Sequence, residues 1–424
     1  SYKLQEFDKV YIRVYDQKNE LISGDIISKS NSRFLNFRKK SKGIIYNSSR
    51  EKNNLLLKNS TSVSMSNGKY STNNFMGTEG NQGPYKLKGI NGESYIVVLS
   101  GTEKIFMDGN LLKRGEENDY IINYNSSEII FTNKNIITKD KRFYVEFEYN
   151  DRSYAQSTIF SNQKIKTEKV LFNFNFYSES DWKNQNYLTD LSDNDKKILS
   201  ESGDNETQIL SNSIDSVSYN NEIILYKKMD TTISGIPIIY YKFSNNQDSA
   251  YYQIKFTQVD QNNGDYILKE EGMNGRIFSW IAPISIGGDL VSQGNFTPNI
   301  RIVSPKSRNI ISAELKYNIS EKINTTANFT FQNLDKNLFS DLDDSDNNSI
   351  ATFFEFDWLI LKNKKMQISS KNSVEYINEK YEGVIRYKEV EFNRKWNIPD
   401  IIGNQTLLNH QLLLLADENN FLEY

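Results

Sequence analysis

The sequence predicts an all-β protein, and three observations support this fold class. Aromatic residues make up 13% of the 424 residues, and most of them are Tyr and Phe, which favour half-buried pleated surfaces. Apolar and polar side chains alternate with a period of two in many segments, as in strands with one buried face. Only six prolines are present. At this length we expect more than one domain.

The alternation begins near the N-terminus. Residues 10–15 (VYIRVY), 170–176 (VLFNFNF) and 250–259 (AYYQIKFTQV) each place their apolar residues on one side of a predicted strand. Residues 45–83 are rich in Ser, Asn, Lys and Gly with weak periodicity, and we expect a long polar loop or an irregular sheet edge there.

The stretch 107–131 is the most strongly patterned part of the chain, and its acidic residues raise the question of a site. Asp108-Gly109 suits a hairpin turn, because these residues accept positive φ angles. Strands are predicted at 119–124, 128–131 and 142–149. The carboxylates then lie in turns and at strand borders, where Asp is common. We interpret the stretch as the scaffold of a compact β module.

A short helix is predicted at 192–202. Ser192 is a suitable N-cap, Asp193 and Asp195 suit the positive end of the helix dipole, and Gly203 is a suitable stop signal.

From residue 299 the alternation becomes strict. Residues 311–319 and 323–331 predict a hairpin whose strands have nine or ten residues, the length that a tilted strand needs to cross a bilayer. The connections that follow alternate between short and long, as in porin-like barrels. Further alternating runs are expected at 351–361, 365–376, 383–394 and 405–415.

The composition excludes several classes of function. Lys and Arg number 51 against 54 Asp and Glu, the signs are interspersed, and no basic stripe predicts nucleic acid as a partner. The chain has no Cys and a single His, His410, so thiolate chemistry and zinc–cysteine sites are excluded. No apolar run reaches the roughly 18 residues that a membrane helix needs.

The loop at 341–349 contains a weak calcium candidate. Asp344, Asp346 and Asn348 occupy positions one, three and five of a calcium loop, and Glu355 occupies position twelve. Position six is Ser349 where the sharp turn requires Gly, and Glu355 lies in an alternating run. The sequence therefore favours a polar loop over a calcium site. We expect no other metal and no cofactor.

No catalytic signature is present, and we expect that the chain is not an enzyme. It has no Gly-rich phosphate loop, no G-x-S-x-G elbow and no H-E-x-x-H motif. A hydrolase with paired carboxylates stays open, because such pairs are defined by spacing in three dimensions.

The segment 83–154 resembles a β module of large cell-envelope proteins of Bacteroidota. Variants of this module also occur beside the giant barrel of the type IX secretion translocon. The resemblance implies an outer-membrane or envelope location and carries over no catalytic residues, since the family has none assigned. It rests on Asp108, Gly109, Leu111 or Leu112, Gly115, Asp119, Tyr120, Tyr124, Ile129 and Phe131.

The segment 337–399 is similar to strands of large outer-membrane proteins of flavobacteria. Those proteins are far longer than this chain, and six strands after residue 299 cannot close a wide barrel. Either the chain is a fragment, or these strands form a sheet that is not a barrel.

These observations predict sandwich-like N-terminal β modules followed by an amphipathic antiparallel meander that is part of an outer-membrane barrel. The expected divisions are 1–82, a sandwich-like region with a long polar loop; 83–154, a compact module; 155–298, a mixed β region with the helix; and 299–424, barrel-like strands.

We expect a non-enzymatic outer-membrane component in protein export, outer-membrane assembly or envelope architecture, with protein partners and membrane lipid around it. The alternative is a soluble periplasmic or cell-surface binding protein for glycans or partner proteins, which would use aromatic residues such as Tyr251, Trp280 and Trp358.

Overall fold

The computed structural model is built almost entirely of antiparallel strands, which confirms the predicted all-β fold class. Among the residues that it describes, no helix is long and apolar enough to cross a membrane. The described residues are 10–66, 68–90, 93, 96–150, 154–186, 191–204, 209–272, 275–363, 366–398, 403–417 and 420–423.

The strands are short in the middle of the chain and long towards both ends. In the first part they are β1 (Tyr11–Tyr15), β2 (Asn19–Asn31), β3 (Asn36–Lys52), β4 (Leu55–Ser66), β5 (Gly68–Met76), β6 (Tyr85–Lys86), β7 (Val97–Val98), β8 (Lys104–Met107), β9 (Asn110–Leu111), β10 (Tyr120–Asn123), β11 (Glu128–Phe131), β12 (Arg142–Asn150), β13 (Tyr154–Lys166) and β14 (Val170–Asn186).

The second part begins with a helix and returns to long strands near its end. Its elements are α1 (Asp193–Glu201), β15 (Leu210–Asn212), β16 (Ile214–Ser216), β17 (Tyr226–Ile233), β18 (Ile236–Phe243), β19 (Tyr252–Ile254), β20 (Thr257–Gln258), β21 (Tyr266–Gly272), β22 (Gly275–Trp280), β23 (Ile284–Ile286), β24 (Asp289–Val291), β25 (Phe296–Thr297), β26 (Asn299–Arg301), β27 (Ser307–Ser320), β28 (Ile323–Asp335), a 3-10 turn (Asp344–Asp346), β29 (Asn348–Lys362), β30 (Gln367–Ile377), α2 (Phe392–Lys395), β31 (Gln405–Asp417) and β32 (Asn420–Glu423).

The chain divides into two compact units. The first comprises residues 1–191 and 305–424, and the second comprises 192–304. The first unit contains a twelve-stranded antiparallel sheet in the order β1-β2-β3-β4-β13-β14-β27-β28-β29-β30-β31-β32. The strands of the predicted regions 1–82 and 299–424 therefore belong to one sheet. Local alternation predicts strands well but contains no information about which distant strands pair.

Two sequence predictions are corrected. The expected polar loop at 45–83 consists largely of strands, because β3, β4 and β5 occupy most of it. Ser residues of this stretch lie on one face of the sheet. Because Ser is also common in loops, they obscure the alternation of apolar and polar side chains. The expected strand at 383–394 is a connection that ends in the short helix α2. The predicted hairpin is confirmed: Ile311 lies opposite Phe331 and Leu315 opposite Ala327.

Residues 68–150 form a small module inserted between β4 and β13. One sheet has the order β5-β12-β8-β9, with β7 also paired to β12, and a second has the order β10-β11-β6. The Asp108-Gly109 turn adopts positive φ angles of 49° and 85°, as predicted for a hairpin. The apolar core is drawn from the module itself: Leu87, Ile96, Val98, Ile105, Tyr120, Ile129, Phe131, Ile137, Phe143, Val145, Phe147 and Tyr149.

The second unit begins with the predicted helix. Ser192 is its N-cap, and a capping box forms: Asp195 N–H donates to Ser192 Oγ at 3.1 Å, and Ser192 N–H donates to Asp195 Oδ2 at 2.9 Å. Gly203 follows the C-cap with a φ of 56°. Two four-stranded sheets, β16-β19-β17-β18 and β20-β25-β21-β22, make up most of the rest. Their aromatic contacts involve Tyr226, Phe243, Phe256, Tyr266, Phe278 and Phe296.

Because the module has its own core, the isolated segment 68–150 is expected to fold. Within it, Ile105→Ala is expected to lower the free energy of unfolding by about 2–5 kcal/mol, since Ile105 is fully buried and its loss leaves a cavity. The matched change Ile136→Ala, at a side chain that is 77% exposed, is expected to change it by less than about 0.5 kcal/mol. Urea unfolding followed by circular dichroism measures both. Equal effects of the two changes would contradict the assignment of the core.

Candidate functional site

The two faces of the twelve-stranded sheet differ in polarity, and the apolar face is the exposed one. On β27 and β28 the residues Ile311, Leu315, Phe329 and Phe331 are between 36% and 51% exposed. Their cross-strand register places them on one face. The same apolar face is continued by Ile44, Val63, Met65, Ile159, Phe354, Trp358, Val374 and Leu408, which are also exposed.

The opposite face is polar and buried. Ser312 and Thr330 are fully buried, and the Thr330 hydroxyl donates to Ser312 Oγ at 2.8 Å. The Asn328 amide donates to Ser32 Oγ at 3.1 Å, and Ser32 Oγ lies 3.1 Å from Ser312 Oγ. Buried polar groups are stable only when hydrogen-bonded, and these are. The polarity of this sheet is the reverse of that in a water-soluble protein, whose apolar faces are covered.

The strands of this sheet are long enough to cross a bilayer. β27, β28 and β29 contain 14, 13 and 15 residues. On β28 the apolar face extends from Ile323 to Phe331, which is roughly 27 Å along the strand. That length matches the apolar band of outer-membrane strands, about 25 Å tall.

The connections differ at the two ends of the sheet. Because consecutive strands are antiparallel, alternate connections lie at opposite ends. One end has short turns, at 16–18, 53–54, 167–169, 321–322 and 363–366. The other end has connections at 32–35, 67–153, 187–306, 336–347 and 378–404, most of which are longer.

The apolar face is interrupted by polar side chains over β4 and β13. Asn59, Thr61, Ser161 and Gln163 lie on this face and bond to each other: Thr61 Oγ1 lies 3.0 Å from Ser161 Oγ, and the Gln163 amide donates to Asn59 Oδ1. Beyond this patch the face is mainly apolar from β14 to β29, while on β30 and β31 it also carries the hydrogen-bonded pair Asn372 and His410.

Two connections of the longer end cover the polar face. We call residues 32–35 the inner turn and residues 378–398 the strap. Phe34 and Leu35 of the inner turn are fully buried. The Tyr381 hydroxyl of the strap donates to the Phe34 carbonyl at 2.8 Å, and the ring of Tyr387 meets that of Phe34 edge-on at 5.8 Å. The inner turn and the strap thus place an apolar cluster against the polar face at this end.

A buried ionic cluster lies where the polar face meets the module. Lys39 Nζ lies 2.5 Å from Glu179 Oε1 and donates to Gln156 Oε1 at 2.7 Å. Glu148, on β12 of the module, is 9% exposed, and its Oε2 has no hydrogen-bond partner among the described residues. Burial raises the pKa of Glu148 to about 7; Lys39 opposes this rise and the negative charge of Glu179 adds to it.

The strap also packs against the module, and a cleft of about 720 Å³ lies between them. Two ion pairs connect its walls: Arg386 Nε lies 2.7 Å from Glu146 Oε1, and Arg142 Nε lies 3.5 Å from Glu391 Oε1. The Arg386 guanidinium also lies over the ring of Tyr144, 5.5 Å from its centroid. The strap is thus held by the polar face on one side and by the module on the other.

The structure does not bring the four calcium candidates together. Asp344 and Asp346 lie in the 3-10 turn, Asn348 begins β29, and Glu355 lies seven residues further along the same strand. Asp346 is paired with Lys380 at 2.6 Å, and Glu355 with Lys371 at 3.0 Å. Within the described ranges no group of three or more acidic or His side chains has metal-site geometry.

The other residues singled out in the sequence belong to two different units. Trp358 is on the exposed apolar face of β29, in the first unit. Trp280 and Tyr251 belong to the second unit, where Trp280 stacks on Tyr240 at 4.1 Å. His410 lies on β31 with its Nδ1 2.6 Å from Asn372 Oδ1.

Asp108 and Asp119 of the stretch 107–131 have structural partners, as the scaffold interpretation predicts. Asp108 pairs with Lys141 at 3.0 Å and Arg142 at 3.3 Å, and Asp119 accepts the backbone N–H of Lys113 at 2.7 Å. The buried cluster at Lys39 was not found from the sequence, because Lys39 and Glu179 are 140 residues apart and no local pattern marks either one.

In comparisons with known proteins, the module matches a family model. A family model described as a domain of unknown function (DUF8818) matches residues 70–151. No curated protein matches the chain. The crystal structure of Pseudomonas aeruginosa OccK8 (OprE) aligns with 86% of this chain and 75% of its own, at 10% identity and a TM-score of 0.17. That score is too low to support a shared fold.

The free energy of unfolding is expected to depend on pH through Glu148. Its pKa is about 7 in the folded chain against an ordinary value of 4.5, so the unfolded chain releases this proton first as the pH rises. Stability is therefore expected to fall between about pH 4.5 and pH 7, by about 3 kcal/mol in total, and to level off above. Chemical unfolding at a series of pH values measures this.

Glu148→Gln is expected to remove that pH dependence, because the amide does not ionise. Glu117→Gln, at an exposed position of the same module, is the matched control and is expected to leave it in place. If the free energy of unfolding of Glu148→Gln depends on pH as it does in the unmodified protein, then Glu148 is not the group that causes the dependence.

Proposed function

We propose that the chain is a non-enzymatic component of a bacterial outer membrane and that its twelve-stranded sheet forms part of a barrel wall. The supporting observation is the reversed polarity of the sheet, with an exposed apolar face and a buried, hydrogen-bonded polar face. Membrane-spanning barrels have this arrangement, because their outer surface contacts lipid and their interior is polar.

The aromatic side chains of the apolar face support the same proposal. Trp358 and Tyr317 are exposed on this face, towards the short turns at 363–366 and 321–322. Trp and Tyr are favoured at the boundary between hydrocarbon and water, where the ring contacts lipid and the polar atom contacts water. In this proposal Trp358 lies at the boundary between lipid and water and does not bind a glycan.

The edges of the sheet imply partners. In hydrocarbon each unpaired backbone group costs several kcal/mol, so β1 and β32 need strands beside them. These strands come from closure of the sheet on itself or from another envelope protein. The polar patch at Asn59, Thr61, Ser161 and Gln163 is the part of the apolar face best suited to a protein neighbour.

The finer part of the proposal is a role in protein export, outer-membrane assembly or envelope architecture in Bacteroidota. It is supported by the resemblance of Asp108, Gly109, Asp119 and Tyr120 and their neighbours to envelope modules of that phylum. No catalytic role is proposed. The acidic groups discussed above, Glu179, Glu355 and Asp108, are engaged in structural ion pairs.

Leu315→Arg is expected to impair membrane insertion, because Leu315 lies in the middle of the apolar face of β27. A charge at this depth costs about 2–4 kcal/mol in an outer-membrane strand. We expect the native full-length protein to stay in the membrane pellet after an alkaline carbonate wash and the variant to be depleted from it. Asn324→Arg, on the polar face of β28, is the control and is expected to stay. Release of the unmodified protein by the wash would refute the membrane location.

The asymmetry of the connections predicts the orientation. Long connections of outer-membrane barrels face the cell exterior and short turns face the periplasm. The chain has no Cys, so single-Cys variants can be labelled specifically. On intact cells a membrane-impermeant maleimide is expected to label Ile136→Cys and Leu342→Cys, and to label Lys322→Cys only after permeabilisation. The opposite labelling pattern would reverse the orientation.

A further inference from the structure

The cleft between the module and the strap has the size and lining of a ligand site. Its volume of about 720 Å³ lies within the roughly 300–1,000 Å³ that is usual for small-molecule sites. We propose that this cleft binds a neutral oligosaccharide. This inference does not depend on the membrane location proposed above.

Aromatic rings come from both walls of the cleft. Tyr70 and Tyr144 belong to the module, and Tyr387 and Phe392 belong to the strap; all four side chains are half-buried. A pyranose ring has apolar C–H faces that pack on such rings, while its rim carries hydroxyl groups. Aromatic side chains provide this large contact area with little conformational freedom to lose.

Hydrogen-bonding groups stand beside these rings. Thr72 and Asn74 of β5 and Asn393 of the strap are exposed and line the cleft. Amides and hydroxyls both donate and accept hydrogen bonds, so they can bind neighbouring sugar hydroxyls.

The charges of the cleft favour a neutral ligand. Arg386 is paired with Glu146, and Arg142 and Arg394 are both paired with Glu391. An anion at these arginines would have to displace a carboxylate, and the fourth basic residue of the lining, Lys388, already donates to Gln405 Oε1. A purely apolar ligand would remove water from charged groups without replacing their hydrogen bonds, which is costly. A neutral polyhydroxylated ligand avoids both costs.

Binding to the full-length protein can be tested with tetra- to hexasaccharides of cellulose, starch, xylan and chitin, first on an array and then by calorimetry. At least one of them is expected to bind. Tyr144→Ala is expected to weaken the Kd by about tenfold or more, since it removes a ring of the cleft. Asn74→Trp, which fills the cleft from an exposed position, is expected to abolish binding. The matched control is Tyr251→Ala, at an exposed tyrosine of the second unit, and it is expected to leave the Kd unchanged.

Four results would overturn the proposal. The first is that none of these oligosaccharides binds the unmodified protein at millimolar concentration. The second is that Asn74→Trp, which changes no buried residue, retains the affinity. The third is that Tyr251→Ala loses binding while Tyr144→Ala keeps it, which would place the site in the second unit. Preferential, salt-sensitive binding of uronate or sulfated oligosaccharides in the same assays would refute a neutral ligand.

Discussion

Hydrogen-bond satisfaction on the polar face is the constraint on which the large sheet depends. Ser, Thr, Asn and Gln side chains are buried there, where each unpaired group would cost about 1–3 kcal/mol. The pairs Ser28–Ser62 and Ser312–Thr330 connect neighbouring or nearby strands, and Ser32 connects the inner turn to them. The sheet is therefore ordered in part by a polar network on this face, while the apolar side chains of the opposite face are left for the surroundings.

The inner turn and the strap pack against aromatic and aliphatic side chains that the strands themselves place on the polar face. Leu35 joins Phe37, Phe160, Tyr177, Ile310 and Val384 in one buried cluster, and Phe34 joins Ala351, Phe353, Ile377 and Tyr381 in another. Both clusters lie towards the end with the long connections. Towards the short turns the polar face is more open, as the exposed Lys316 and Asn324 show. The two ends of this face therefore differ in how exposed their side chains are.

Much of the fold was predictable from the sequence, because hairpins, caps and turns have local signals. The hairpin of β27 and β28, the Ser192 cap and the Asp108-Gly109 turn follow from residue order alone. The strands at 45–83 were missed because Ser62 and Ser64 alternate with Val63 and Met65, a pattern that resembles a polar loop. The alternating run at 383–394 predicts a strand; in the structure its residues contact the inner turn and the module instead of pairing with a neighbouring strand. The cleft was not predictable, since its walls come from distant segments.

The contact between Tyr381 and Phe34 joins residues that are 347 positions apart. At a synthesis rate of about 5–20 residues per second, roughly 17–70 s separate the emergence of the two from the ribosome. Throughout that interval the strap is not yet available to cover Phe34 and Leu35. Such exposed apolar side chains make a nascent chain prone to aggregation and a substrate for chaperones. The emergence of the strap thus decides how long the inner turn needs protection.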